Sequence, residues 1–154
     1  SVCTVSNQSQ YMAANSRFMS FITSCRNRDI AIPNDFQIIT EDSISHGEKA
    51  ADEYLSHENR PTIIFAATDA LAYGILHRLH ERHIAVPDEC AVFCFGYERL
   101  DLSKYSLPPL SAIDISTTDL ASAGMHLIID VINRGISSPQ HIELSSKIQL
   151  RDSF

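Results

Sequence analysis

A short apolar run that passes directly into a helical pattern constrains the fold of this chain more than any other feature. Residues 63–67, Ile-Ile-Phe-Ala-Ala, are typical of a strand buried on both faces. Helical spacing then begins at Asp69, with apolar residues at Leu71, Ile75, Leu76 and Leu79. The polar pair Thr68-Asp69 therefore lies where a strand becomes a helix. In an open α/β sheet ligands bind at this edge, although these two residues can also serve only to cap the helix.

Strand-like and helix-like segments alternate along the whole chain. Helices are predicted over residues 14–28, 45–57, 69–83 and 118–133, the second opened by the capping-box pattern Ser45-x-x-Glu48. Strands are predicted over residues 2–5, 36–39, 62–67, 91–95, 111–115, 142–144 and 147–150. Segments that alternate at this spacing form right-handed βαβ units. We therefore predict an α/β fold, a parallel sheet with helices on both faces.

Composition and charge argue against several classes of function. The formal net charge is −7 and the 12 Lys and Arg residues form no basic run, so these residues are not expected to bind nucleic acid. No apolar run is long enough to span a bilayer, and no leading segment resembles a signal peptide, so no membrane partner is expected. The 4 cysteines lack zinc-ligand spacing, which favours buried free thiols in the cytoplasm.

Patterns typical of catalysis are absent from the sequence. It contains neither a Gly-x-Ser-x-Gly motif nor a phosphate-binding glycine loop. His77, His80 and His83 recur at every third residue, but this spacing drifts around a helix, and a partly exposed face is favoured over a metal site. We therefore expect no enzymatic activity, no cofactor and no bound metal.

Five sequence blocks in a fixed order resemble the LacI/GalR-type transcriptional regulators. The family pattern Arg-x-x-Gly-Phe is present at residues 17–21, with Ser20 in place of glycine. The pattern Pro-Thr-Ala-Ile-Phe-Ala-x-Asn-Asp is present at residues 61–69, with Thr68 at the asparagine position. Further matches lie at residues 86–97, 108–113 and 150–153. The resemblance covers essentially the whole chain and corresponds to the carboxyl-terminal part of the effector-binding domain.

The resemblance implies a periplasmic-binding-protein-like fold of two lobes with the effector in the cleft between them. Residues 1–112 would form most of the second lobe, residues 113–137 would cross to the first lobe, and residues 138–154 would return. The helix-turn-helix headpiece, the hinge helix and nearly all of the first lobe are expected to lie outside this chain. The helix over residues 118–133 should then carry a large exposed apolar patch, since its partners belong to the first lobe.

The resemblance also implies an effector site. Arg17 matches the family arginine that binds effector hydroxyls or an acidic group, and Asp69 matches a family ligand residue. We expect both at the same edge of the sheet, facing one cleft. Thr68 and Asp42 stand at further ligand positions, where the family has asparagine and often an aromatic residue. For Arg17, the alternative is a solvated surface arginine.

A third ligand contact is not assigned to one residue. It falls on Gly96 or Tyr97 when counted from Pro87, and on Glu98 or Arg99 when counted back from Pro108. Tyr97 and Glu98 are therefore both candidates. An unusual effector, or one held partly by water, is as well supported as a common hexose.

A homodimer is implied through the positions of Tyr73 and Tyr105, although each ring can instead lie on the core of its own domain. The function expected is that of a cytoplasmic repressor, in which a sugar or related small molecule changes operator DNA binding by the headpiece. The alternative is a secreted sugar-binding protein of a transporter, which shares the fold but neither the dimerising surface nor the free cysteines.

Overall fold

Six strands form one sheet at the centre of the protein. The computed structural model describes residues 1–7, 12–96, 102–114, 116–135 and 138–154. Its strands are β1 (Cys3–Asn7), β2 (Gln37–Thr40), β3 (Ile63–Ala66), β4 (Ala91–Gly96), β5 (Ser111–Asp114) and β6 (Lys147–Gln149). Their order is β2-β1-β3-β4-β5-β6, parallel throughout except that β6 runs antiparallel to β5. The predicted α/β class is confirmed.

Helices cover both faces of the sheet. They are α1 (Met12–Arg26), α2 (Ile44–Leu55) and α3 (Asp69–Glu81), while a fourth helix, α4 (Thr117–Arg134), has no buried residue. Short 3-10 turns lie at Asn34–Phe36 and Leu102–Lys104. Helix α1 packs on one face, where Phe21 stacks on Phe65 with ring centroids 3.9 Å apart. Helices α2 and α3 pack on the other face. Among the described helices, none combines the length and the apolar character that crossing a bilayer requires.

The apolar run at residues 63–67 lies at the centre of the core, as its composition predicts. Ile64, Phe65 and Ala66 are buried, and so are the four apolar residues that mark the inner face of α3. Burial on both faces explains why this strand has no polar alternation. The strand therefore holds the start of α3, with Thr68 and Asp69, in a rigid position at the sheet edge.

Helices α2 and α3 cross at two glycines that let their backbones touch. A Cβ atom on Gly74 would overlap the carbonyl oxygen of Ile44, and would lie 2.9 Å from the Cα of Gly47. Beside the crossing, the guanidinium of Arg78 lies 3.6 Å from a carboxylate oxygen of Glu48 and 3.5 Å from one of Asp52. The close approach and the ion pairs fix α3 relative to α2.

Three local predictions are wrong. Helix α2 is capped by Ser43 rather than Ser45, since the Ser43 hydroxyl accepts the His46 N–H at 3.3 Å. Glu48 cannot complete a capping box because its carboxylate bonds His77 on α3, at 2.8 Å. Residues 142–144 form no strand. In the described sheet β5 pairs with β6 on its outer side, and Ile142 and Leu144 are exposed. Helix α1 starts at residue 12, two residues before the predicted start.

The segment after β6 is tied into the sheet by one buried serine. The Ser153 hydroxyl donates to the Val92 carbonyl at 2.7 Å and accepts the Ser111 N–H at 2.8 Å. Its backbone N–H donates to the Pro109 carbonyl at 3.1 Å. Ser153 therefore joins β4, the start of β5 and the terminal segment, pairing three buried backbone groups.

Helix α4 carries the exposed apolar patch that was predicted for it. No residue of this helix is buried against the described part of the protein. Its large exposed apolar side chains are Leu120, Met125, Ile128, Ile129, Val131 and Ile132, the last 74% exposed. Both ends of the helix are nonetheless capped. The Ser116 hydroxyl accepts the Asp119 N–H at the amino end, and Gly135 adopts the left-handed conformation at the carboxyl end. Its form is thus set locally, while its apolar face lacks a partner in the described structure.

The four cysteines lie within the described residues and are buried free thiols. This agrees with the prediction made from their apolar surroundings. Burial is the main reason that the pKa of Cys3 rises to about 12. Such a thiol stays protonated and unreactive near neutral pH.

Candidate functional site

The carboxyl edge of the sheet gathers most of the predicted ligand residues. Asp42 follows β2, and Thr68 and Asp69 follow β3. Arg17 projects from α1, the helix that follows β1. Because parallel strands end at the same edge, residues far apart in sequence come together here. Tyr97 and Glu98, the two candidates for the third ligand contact, follow β4 in the sequence and lie outside the described residues.

Thr68 and Asp42 form a hydrogen-bonded pair that the local sequence around either residue does not predict. The Thr68 hydroxyl donates to Oδ1 of Asp42 at 2.5 Å and accepts the Leu71 N–H at 3.3 Å. The capping role considered for Thr68 is therefore confirmed. Since its only hydroxyl proton is already given to Asp42, Thr68 can offer a ligand nothing but a lone pair. The pair instead presents the carboxylate of Asp42, which is exposed, to this edge.

Asp69 is held in a fixed orientation at the first turn of α3. Its Oδ1 accepts the Ala70 N–H at 2.9 Å, and a negative charge is stabilised there by the helix dipole. Its Cβ lies near Gly96 at the end of β4. Cys94 lies close by, and burial, with a further contribution from the Asp69 carboxylate, raises the pKa of that thiol to about 12. Asp69 is thus an oriented, half-buried carboxylate at the sheet edge.

Arg17 stacks on an aromatic ring at the same edge. Its guanidinium carbon lies 4.3 Å from the centroid of the Phe95 ring, a cation–π contact. Arg17 is half-buried rather than fully solvated, which disfavours the surface alternative. It stands in the second turn of α1 and not at its start, because the helix begins earlier than predicted.

Arg17 and Asp69 flank the end of one strand. Arg17 lies over Phe95, and Asp69 lies beside Gly96. Phe95 and Gly96 are the last two residues of β4. The two side chains approach from opposite faces of the sheet, but at the same edge, as the prediction required. That both face one interlobe cleft stays a prediction. A guanidinium with five donors and two carboxylates can together hold vicinal hydroxyl groups.

Sequence reasoning missed a second set of polar residues behind Asp69. Asp114 ends β5 and is paired in register with Gly96. Arg151, from the segment after β6, donates to the Leu110 carbonyl at 2.8 Å, and with Ser103 it lines a small cavity next to Asp69. Only the block at residues 150–153 pointed to this region. Nothing in the local pattern places it beside α3, since the contact joins segments far apart in the chain.

Tyr73 and Tyr105 line one groove between α3 and the loop before β5. Its other walls include Leu76, His80 and Leu107, and its volume is about 250 Å³. Tyr73 packs partly against the core, as the simpler alternative for this ring requires. Tyr105 does not, being 78% exposed, and Leu107 is 71% exposed.

The three histidines of α3 form no metal site within the described residues. His77 bonds Glu48, His80 is exposed, and His83 lies beyond the helix with φ +57°.

The sequence of this domain matches a known family. The family model described as a periplasmic binding protein-like domain matches residues 5–154. The chain belongs to this family. As a periplasmic-binding-protein-like domain, it carries its candidate ligand residues where the parallel strands end.

Relatives with known roles include transcriptional repressors. It is 25% identical over 140 residues to the ribose operon repressor of Escherichia coli (strain K12), covering 91% of this chain and 42% of the repressor. It is 22% identical over 152 residues to the HTH-type transcriptional repressor PurR of Vibrio vulnificus (strain CMCP6), covering 99% of this chain and 45% of that protein. The chain thus spans less than half the length of these two relatives.

A solved structure agrees closely. A LacI family transcription regulator from Clostridium acetobutylicum superposes with a TM-score of 0.91 at 28% identity, covering 97% of this chain and 56% of that one. The resemblance to LacI/GalR-type regulators is confirmed, and these relatives favour the repressor interpretation over the transporter alternative.

Proposed function

We propose that this chain is the effector-sensing and dimerising part of a LacI/GalR-type transcriptional repressor in the cytoplasm. It binds a small polyhydroxylated molecule, and operator DNA is bound by a headpiece outside residues 1–154. The observation that carries the proposal is the placement of Arg17 and Asp69 on either side of the end of β4. The domain acts by binding and not by catalysis.

Effector recognition rests on paired donors and acceptors. Arg17 donates to ligand oxygens, and the carboxylates of Asp69 and Asp42 accept from ligand hydroxyls. One relative of this chain is named the ribose operon repressor, which supports a sugar or a sugar-like molecule as the effector. Tyr97 and Glu98 remain candidates for a third contact.

The exposed apolar face of α4 supports the presence of a first lobe that packs against it. We assign residues 1–112 and 138–154 to the second lobe and residues 113–137 to the crossover. The predicted start of the crossover is corrected by two residues, because Ile113 and Asp114 still belong to β5. The first lobe would cover the apolar side chains of α4 and form the other wall of the effector cleft. The effector would bind two arrangements of the lobes, open and closed, with different affinities. By favouring one arrangement, it would change the affinity of the protein for operator DNA.

A ligand screen on the full-length protein tests the function. Neutral sugars, sugar phosphates and nucleosides are compared by thermal unfolding, and the effector at about 100 times its dissociation constant should add roughly 2.7 kcal/mol of stability. The same compound should change operator affinity in a mobility-shift assay. A compound that stabilises the protein without changing DNA binding would instead indicate a transport-type binding protein.

Dimerisation is proposed through the groove that holds Tyr73 and Tyr105. Exposed aromatic and apolar side chains at a groove suit an interface anchor. Replacing Tyr105 by alanine should weaken the dimer by roughly 2–4 kcal/mol, about 30- to 1000-fold in its dissociation constant, because a central aromatic anchor is lost. Tyr105 is the cleaner position, since Tyr73 also supports the core.

Sedimentation of the full-length protein at micromolar concentration measures this effect. Ile39→Ala is the control, because Ile39 is also exposed and apolar but lies on β2, at the far end of the sheet. A dimer that tolerates Tyr105→Ala as well as it tolerates Ile39→Ala would place the interface elsewhere.

A further inference from the structure

A small cavity lies directly behind the Asp69 carboxylate. It is lined by residues of α3, the ends of β4 and β5, the Leu102–Lys104 turn and the segment around β6. Its polar wall is formed by Asp69, Ser103, Asp114, Gln149 and Arg151. The volume of about 10 Å³ is close to what one water molecule occupies.

Ser103 points to a ligand in this cavity. Its side chain is 6% exposed, and its hydroxyl has no hydrogen-bond partner among the described residues. Its backbone is well fixed, because the Ser103 carbonyl accepts the Leu110 N–H at 2.8 Å and the Ser106 hydroxyl at 3.0 Å. A buried hydroxyl beside a cavity of this size can be satisfied by a hydrogen-bond partner inside the cavity.

Gly96 defines the space available. A Cβ atom added there would lie 3.4 Å from Sγ of Cys94 and 3.5 Å from Cβ of Asp69, both ordinary contacts. There is thus room for one heavy atom beside the Asp69 side chain.

We propose that this cavity binds a single ordered water molecule, which bonds the Ser103 hydroxyl and links it to the carboxylate of Asp69. The water is further held by the neighbouring polar side chains of the wall, since such waters make two to four hydrogen bonds. It connects the loop that carries Tyr105 to the residue that starts α3.

The sign of the stability change on Ser103→Ala tests the proposal. If the hydroxyl bonds a water, its removal should lower the midpoint of thermal unfolding by roughly 2–4 °C, as expected for the loss of one hydrogen bond. Ser106→Ala gives the reference for a satisfied hydroxyl, because the Ser106 hydroxyl shares its one proton between the carbonyl oxygens of Ser103 and Pro108 in the same loop. Protein concentration is kept constant throughout. A midpoint that rises or does not change would show an unpaired hydroxyl and overturn the proposal.

Gly96→Ala provides the second arm, because its methyl group would displace the water. In this background the hydroxyl has lost its partner, so Ser103→Ala should now raise the midpoint, a reversal of sign between the two backgrounds. A lowering of equal size in both backgrounds would contradict the proposal. A crystal structure should also contain a water within roughly 3.2 Å of Oγ of Ser103, and a dry cavity there would refute it.

One consequence rests on the proposed function. As a positioning residue for Asp69, Ser103 should influence effector binding, and Ser103→Ala should weaken effector affinity by roughly 2- to 30-fold. Ser56→Ala, which removes a hydroxyl at the end of α2, should leave it unchanged. Equal effector affinity in both variants would overturn the positioning role. If no effector is found at all, the stability and crystallographic results still decide the water site.

Discussion

Replacing Gly74 by alanine is expected to destabilise the protein by roughly 3 kcal/mol, which lowers the unfolding midpoint by about 6–12 °C. Alanine is normally the better helix former, by about 1 kcal/mol. Here the added methyl group would overlap the Ile44 carbonyl and press on Gly47, so α2 and α3 must separate. Both obstacles are backbone atoms of a rigid helix, and no side chain can rotate away to relieve the contact.

Thermal and urea unfolding of matched variants measure this effect. Gly124→Ala is the control, since it makes the same change inside α4, where an added Cβ meets no atom within 4 Å. The control should leave the midpoint unchanged or slightly raised. Equal midpoints for the Gly74 and Gly124 variants would mean that the two helices do not cross at this distance.

Replacing Asp69 by asparagine is expected to weaken effector binding by roughly 10- to 150-fold. A hydrogen bond to a charged acceptor contributes about 1.5–3 kcal/mol, and the amide cannot accept with both of its polar atoms. Asparagine keeps the shape of the side chain and can still accept the Ala70 N–H through its oxygen. Stability should therefore fall by only about 0.3–1 kcal/mol, from the lost charge at the helix N-terminus.

Calorimetric titration of the full-length protein separates these two effects. Asp88→Asn makes the same chemical change at an exposed position before β4, at the opposite edge of the sheet, and should not alter effector affinity. Operator affinity without effector should be equal in both variants. An Asp69→Asn protein that binds effector normally would remove Asp69 from the site.

The sequence alone predicts the elements that have a clear period. The buried run before Thr68 and the apolar spacing of α3 depend on local composition, and the structure places both as predicted. The edge shared by Arg17 and Asp69 also follows from the sequence, because each stands after a parallel strand. Position at an edge is thus set by element order, which sequence patterns reveal.

Contacts between distant segments were not predictable in the same way. The bond from Thr68 to Asp42 spans 26 residues, and its Oδ1 acceptor belongs to a residue that local pattern marks only as polar. The cap of α2 was misplaced because the interaction of Glu48 with His77 on α3 removes it from the capping box. Glycines within both α2 and α3 were a signal of close packing, but sequence does not tell which helices meet. The cavity around Ser103 depends on five segments and has no sequence signature.

The return of the chain to β6 determines when this sheet is completed during synthesis. The chain leaves β5 at Asp114 and rejoins the sheet at Lys147, and Ser153 then bonds Val92, 61 residues earlier. Until residues 147–153 emerge from the ribosome, β5 is an edge strand with unpaired N–H and C=O groups. Such an edge readily pairs with other chains. The nascent domain is therefore most prone to association between the synthesis of β5 and that of residues 147–153, and a chain terminated ahead of Lys147 keeps this unpaired edge.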